Sequence, residues 1–213
     1  MQIDLNADLG EEVTDDAALL AVVTSANVAC GYHAGSRAIM RAVCEEAAAR
    51  GVSIGAQVSY ADRENFGRVV HEVAYATLRE QVADQVGTLA ECAAAAGIAV
   101  RYLKPHGALY HRTIDDAEQA RAVLDGAPGL PVLGMPGELT DRARAEGRRV
   151  VREGFPDRAE LPSGRLVPRD QPGAVLHEPE SIVARALELA GRVESVCVHG
   201  DHPGAVATAR AVR

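Results

Sequence analysis

Short runs of apolar, β-type residues alternate along this chain with longer stretches whose apolar residues recur every three or four positions. That alternation limits the fold more than any other feature. A strand, a crossover helix and a further strand return the chain to the same sheet, so repeated units build parallel strands with helices outside them. Predicted strands span 3–8, 26–30, 53–57, 100–104, 131–135, 149–153, a shorter 174–176, and 195–199. About eight strand–helix units in 213 residues predict one α/β domain over 1–213. A β/α barrel or a distorted relative fits this count, and an open doubly wound sheet fits it as well.

The helices carry their own punctuation. Ser36 caps a segment with inward Ile39, Met40, Val43, Cys44 and Ala47, and Gly51 ends it. From 72 to 96, Leu78, Val82, Val86, Leu89 and Ala93 repeat at helical spacing before Gly97. Pro179 opens a third helix that Gly191 closes.

Charge and composition exclude several classes. Twenty-two basic residues stand against 30 acidic ones, with no block of one sign, which argues against nucleic acid or an anionic membrane as the partner. No apolar run approaches the roughly 20 residues that span a bilayer. The start Met1-Gln-Ile-Asp-Leu has no charged leader, so the expected location is cytoplasmic. The four cysteines lie far apart without a C-x-x-C, so neither disulfides nor a structural zinc is expected. Cys30 and Cys197 lie near histidines, yet burial explains them better than a nucleophilic role.

In parallel α/β folds the loops at the strand ends converge on one face. Here the successive ends deliver Asn6 and Asp8, then Asn27, Cys30 and His33, then Gln57 and Ser59, then Lys104 and His106. Later ends deliver Glu153 and Asp157, and finally His199, Asp201 and His202. One such residue is usually a loop cap or a satisfied hydrogen-bond partner. So many at one end predict a cleft, because a buried polar group left unpaired costs roughly 1–3 kcal/mol. Lys104 is the only lysine among the 22 basic residues, and it sits in Lys104-Pro-His-Gly107, suited to hold a carboxylate or a developing oxyanion. The histidines and acids are chemically fit to bind a metal, but no ligand-spacing motif is present, and none is assigned to one. His71, His111 and His177 are expected to be solvated or capping. No P-loop and no G-x-G-x-x-G occurs.

Five blocks at these strand ends carry a resemblance. Asp4-Leu-Asn-Ala-Asp-Leu-Gly-Glu11, Ser25-Ala-Asn-Val-Ala-Cys-Gly-Tyr-His-Ala-Gly35, Lys104-Pro-His-Gly-Ala-Leu-Tyr110, Phe155-Pro-Asp-Arg158 and Cys197-Val-His-Gly-Asp201 resemble the LamB/YcsF family, the A components of bacterial 5-oxoprolinases. The resemblance implies a distorted seven- or eight-stranded β/α (TIM-like) barrel, similar to polysaccharide deacetylases. It implies ATP-dependent ring opening of 5-oxo-L-proline to L-glutamate with 5-oxoprolinase subunits B and C, ATP being a co-substrate handled with those partners. On that reading Asp8 or a neighbouring histidine such as His33 is the general base. His106 or His199 shuttles protons, Lys104 neutralises phosphate or oxyanion charge, and Asp201 orients a histidine. Asn6, Asn27 and Ser59 contact the substrate, and Arg68, Arg158 and Arg169 clamp its carboxylate or phosphate.

Some positions depart from the family pattern. Gln57-Val58 stands where the family usually has His-Pro, Ser36 replaces an Asp, Asn65 a Gly, His111 an Asn and Glu160 a Tyr. A neutral amide neither relays a proton nor ligates a metal well. Two other readings follow: an autonomous metal-dependent deacetylase or amidohydrolase, and a divergent paralogue that binds without catalysing.

Overall fold

A computed structural model describes residues 3–169, 171–200 and 204–213. Seven parallel strands close into a barrel in sequence order, with the first hydrogen-bonded to the last. They are β1 (Asp4–Leu9), β2 (Ser25–Ala29), β3 (Ser53–Val58), β4 (Val100–Pro105), β5 (Val132–Gly134), β6 (Val150–Gly154) and β7 (Ser195–Val198). The expected barrel is therefore the fold, and the open sheet is not. Residues 174–176 form no strand of the barrel. Val175 makes only an isolated antiparallel bridge to Arg158, because the segment after β6 doubles back on itself around that arginine. Its guanidinium donates to the carbonyls of Ala174 (3.2 Å) and Val167 (2.6 Å).

The helices occupy the outside. Among the described residues they are α1 (Asp16–Leu20), α2 (Arg37–Arg50), α3 (Tyr75–Ala95), α4 (Gly107–Asp115), α5 (Ala117–Gly126), α6 (Glu138–Ala145), α7 (Pro179–Ala190) and α8 (Ala205–Val212). None of them is long and apolar enough to cross a membrane. Ser36 caps α2 by accepting from the Ile39 amide, and Gly51 ends it in the left-handed region. Helix α3 begins at Tyr75, three residues later than periodicity predicts, because Ala74 is still extended.

Alternation along the strands decides what faces inward, and here the inward set is polar. On β1, Asp4, Asn6 and Asp8 point into the barrel, while Leu5, Ala7 and Leu9 join the apolar shell packed against the helices. That shell includes Leu19, Val43, Leu78, Val82, Leu103 and Leu124, all buried. Inside, Asp4 accepts from the hydroxyls of Thr24 (2.6 Å), Ser25 (2.7 Å) and Ser195. One layer up, Asn6 donates to Ser195 Oγ at 2.7 Å, Asn27 donates to Asn6 Oδ1 at 2.7 Å, and Tyr102 donates to Asn27 Oδ1 at 2.8 Å. Tyr102 reaches Asn27 by crossing β3 at Gly55, where a Cβ would lie 2.1 Å from the ring.

Gly55→Ala therefore displaces Tyr102 and strands the Asn27 amide. We expect a loss of about 1–3 kcal/mol, the usual range for overpacking, read as a lower urea midpoint with an unchanged slope.

Candidate active site

The C-terminal strand ends enclose a cleft of about 950 Å³. Its floor is an ion-pair network at the centre of the barrel. Lys104, near the end of β4, brings Nζ to 2.7 Å from Glu153 Oε1 on β6 and 3.1 Å from Asp8 Oδ1 on β1. Cys197 Sγ of β7 lies 3.2 Å away and Asn6 Oδ1 3.4 Å. Asn27 donates to Asp8 Oδ1 at 2.8 Å, and Tyr110 donates to Glu153 Oε2 at 3.0 Å. Burial disfavours the charged form of Lys104, but Asp8, Cys197 and Glu153 together outweigh it and hold the ammonium well above its ordinary pKa. Burial likewise pushes Asp8 upward, and Lys104 together with His199, His106 and the Asn27 hydrogen bond reverses this, leaving its carboxyl well below the usual range. The pair is ionised. Asp8 borders the cleft, and the bonds from Asn27 and Lys104 both go to its Oδ1.

On one side of this floor stands a histidine held by a carboxylate. Asp157, just beyond β6, accepts from His199 Nδ1 at 2.8 Å and from the His199 backbone amide at 3.1 Å. Phe155 stacks on the same ring at 5.3 Å between centroids. Burial raises Asp157, but the adjacent His199 lowers it further, so its net shift is downward. With Nδ1 engaged by Asp157, Nε2 is the ring nitrogen left for the cleft that His199 lines.

On the other side is a buried rim of Glu11, His33, Gln57 and His106. His106 Nε2 donates to the Phe66 carbonyl at 3.0 Å, so Nδ1 carries the lone pair and accepts from Gln57 Nε2 at 2.9 Å. Gln57 Nε2 also donates to Glu11 Oε1 at 2.9 Å. Burial drives His106 down to about 4, and burial with the neighbouring His106 drives His33 well below its ordinary value.

The sequence-predicted residues fall into distinct places. Asp8, Lys104, His106 and His199 line the cleft together with Arg68, Arg158 and Arg169. Asn6 and Asn27 lie beneath the floor, fully buried and bonded within the barrel, and Ser59 is buried with its hydroxyl on the Tyr60 carbonyl. His33 sits inside the rim. Asp201 and His202 lie outside the described residues; among the described residues the carboxylate bonded to His199 is Asp157. His111 lines the cleft, whereas its sequence setting predicts a solvated or capping residue. Sequence reasoning left Glu11, Glu153, Asp157 and Tyr110 without a role, although all four fall at the strand ends or inside the motif blocks.

An ion pair on the floor, an Asp–His couple on one wall and a histidine rim on the other define a β/α-barrel protein with an acid–base site at the strand ends. The chain belongs to the LamB/YcsF family, whose model matches residues 3–213. It is 52% identical to a protein named as the A component of 5-oxoprolinase in Streptomyces avermitilis, covering 99% of this chain and 94% of that one. It is 51% identical to a protein of the same name from Mycobacterium avium, covering 99% and 93%. A lactam utilization protein from Thermus thermophilus superposes with a TM-score of 0.92 at 36% identity, over 100% of this chain and 94% of that one. A peptidoglycan N-acetylglucosamine deacetylase superposes at 0.55 with 11% identity, over 99% and 79%, a likeness of fold alone.

Removing the central cation has a signed consequence. Lys104→Met leaves Asp8 buried without its counter-ion, at a cost of about 3–5 kcal/mol near neutral pH. In the native protein Asp8 is depressed, so its stabilisation is present above the unfolded carboxylate value and is lost only in strong acid. In the variant, burial raises Asp8 instead, and the folded state takes up a proton on acidification. The stability deficit of Lys104→Met is therefore expected to shrink between pH 7.5 and about 5, as measured by urea unfolding at both pH values.

Proposed function

We propose that the chain is the A component of a 5-oxoprolinase, opening the ring of 5-oxo-L-proline to give L-glutamate together with B and C components that use ATP. The names of relatives at about 50% identity over the full chain support this assignment. The observation that carries the chemistry is the His199 imidazole, fixed by Asp157 through Nδ1 and leaving Nε2 for the cleft above the Lys104–Asp8 floor.

A five-membered lactam is a resonance-stabilised amide, and its carbonyl carbon resists water until phosphorylation of the oxygen makes it more electrophilic. In this reading the partners transfer the γ-phosphoryl group of ATP to the lactam oxygen. The activated ring then occupies the cleft. His199 Nε2 takes a proton from water as the hydroxyl adds to the ring carbon. The tetrahedral adduct collapses with cleavage of the C–N bond as its hydroxyl becomes the acyl carbonyl and gives its proton to solvent, and the imidazolium returns its proton to the departing nitrogen. The product is an acyl phosphate of glutamate, which a second water converts to glutamate and phosphate. Asp157 keeps the imidazole in the required tautomer and orientation. Arg68 and Arg169 border the cleft and supply positive charge for the ring carboxylate and the phosphate. Arg158 also borders it, with its guanidinium bonded to main-chain carbonyls, and shapes the wall between β6 and α7. Lys104 is a buried positive centre beneath the reacting carbon, where it offsets developing negative charge.

The test is glutamate formation from 5-oxoproline and ATP with all three components present. We expect turnover to require this chain and to fall by about 10²–10⁴ in His199→Gln. Turnover by B and C alone, or an unchanged rate in His199→Gln, overturns the reading. Asp157→Asn is expected to lower kcat with little change in KM, because it acts through the imidazole and not on the substrate.

A further inference from the structure

The rim of Glu11, His33, Gln57 and His106 is unused by the mechanism above, and its geometry is unusual for a purely structural cluster. The four residues come from four successive strand ends and are all buried. Glu11 Oε1 lies 3.4 Å from His33 Nε2 and 3.3 Å from His106 Nδ1, and the three donor atoms all fall within 4.8 Å of one another. An ion bound at about 2.0–2.2 Å by tetrahedral ligands separates those ligands by about 3.4 Å, close to the two shorter spacings here.

Two further observations point to a ligand. His106 donates Nε2–H to a main-chain carbonyl and aims its Nδ1 lone pair into the cluster, the arrangement that a metal-bound histidine usually shows. Gln57, fully buried, leaves Oε1 without a partner, and so does His33 at Nδ1. Gln57 puts its amide nitrogen at 2.9 Å from both Glu11 Oε1 and His106 Nδ1, so an N–H donor stands where two acceptors converge. An amide is nearly symmetric in shape, and turning it over exchanges that donor for the unpartnered oxygen.

We propose that Glu11, His33 and His106 form a binding site for one divalent transition-metal ion of the zinc type, with Gln57 turning its amide so that Oε1 adds a weak fourth contact in place of the repelling N–H. Two imidazoles, one carboxylate and one amide oxygen make a borderline donor set that suits zinc better than magnesium or calcium. In the present arrangement the rings of His33 and His106 stack at 3.9 Å with planes 11° apart, and parallel planes do not direct two lone pairs at one ion. Loading therefore turns the His33 ring. That motion gives up the 3.4 Å contact to Glu11 and the side-chain contact with Gln57, while Nδ1 has no partner to lose. Glu11 and His106 line the cleft, so the bound ion keeps a face toward it for a water or a ligand oxygen. The inference stands on these four residues and does not depend on the lactam reading.

The experiment uses the full chain alone, dialysed against chelator, without ATP, lactam or partner components. Zn²⁺ is titrated by calorimetry, and Co²⁺ is added separately as a spectroscopic probe. We expect one equivalent of Zn²⁺ to bind, with visible Co²⁺ absorption typical of low coordination number. Glu11→Gln and His33→Asn should abolish stoichiometric binding, while Gln57→His, which supplies an imidazole, should tighten it. Circular dichroism of each variant in metal-free buffer separates a lost site from a lost fold. No saturable uptake of either ion, or uptake unchanged in folded Glu11→Gln or His33→Asn, overturns the proposal. Its failure leaves the three-component assay untouched.

Discussion

The ammonium of Lys104 stands at the centre of the barrel, and the surrounding structure keeps it charged. Taking a lysine out of water costs several kcal/mol unless its partners are close and well oriented. Asp8 and Glu153 supply the charge, Asn27 and Tyr110 fix those two carboxylates by hydrogen bonds, and Asn6 Oδ1 accepts from the ammonium itself. Barrels of this class usually fill their interior with branched apolar side chains. This one runs a hydrogen-bonded column up its axis, from Asp4 through Asn6 and Asn27 to Asp8 and Lys104, and keeps its apolar packing between strands and helices. A column of directional bonds tolerates less rearrangement than an apolar core, because each broken bond strands a buried partner.

That rigidity sets the cleft above it. Residues two apart on one strand share a face, so Asp8 borders the cleft because Asn6 and Asp4 are pinned below it. The same logic places Gln57 over Gly55 on β3 and Lys104 over Tyr102 on β4. The loop after β3 closes down on the rim at Gly67, whose φ is +66° and where a Cβ would lie 2.9 Å from His33 Cβ. A side chain there would lift the loop off both histidines. The Asp157–His199 wall depends instead on the turn that follows β6, so the two sides of the cleft are held by independent contacts.

Much of this was legible in the sequence, and the reasons are specific. Strand–helix alternation carries the barrel, and Ser36, Gly51 and Pro179 mark helix ends because their chemistry is local. The polar strand ends indicate a shared mouth, and seven of the candidate site residues do line one cleft. Depth was harder to read. Asn6 and Asp8 look equivalent in Asp-Leu-Asn-Ala-Asp, yet one turn of the pleat separates a buried scaffold residue from one at the cleft. The Asp157 partner of His199 was also not readable, since the two lie on different strand ends far apart in the sequence and only the folded barrel brings them together. The doubled-back segment around 174–176 has strand-like composition, but the tertiary hold of Arg158 decides its conformation.

Because the chain has one lysine, the central interaction has a direct spectroscopic readout. Labelling lysine with ¹⁵N at Nζ gives a single side-chain resonance, to be followed by NMR as pH is raised. A buried, ion-paired Lys104 remains an ammonium, with slowly exchanging protons, well past the ordinary lysine value of about 10.4. A resonance that titrates near that value, with protons exchanging as fast as those of a solvated amine, contradicts the account.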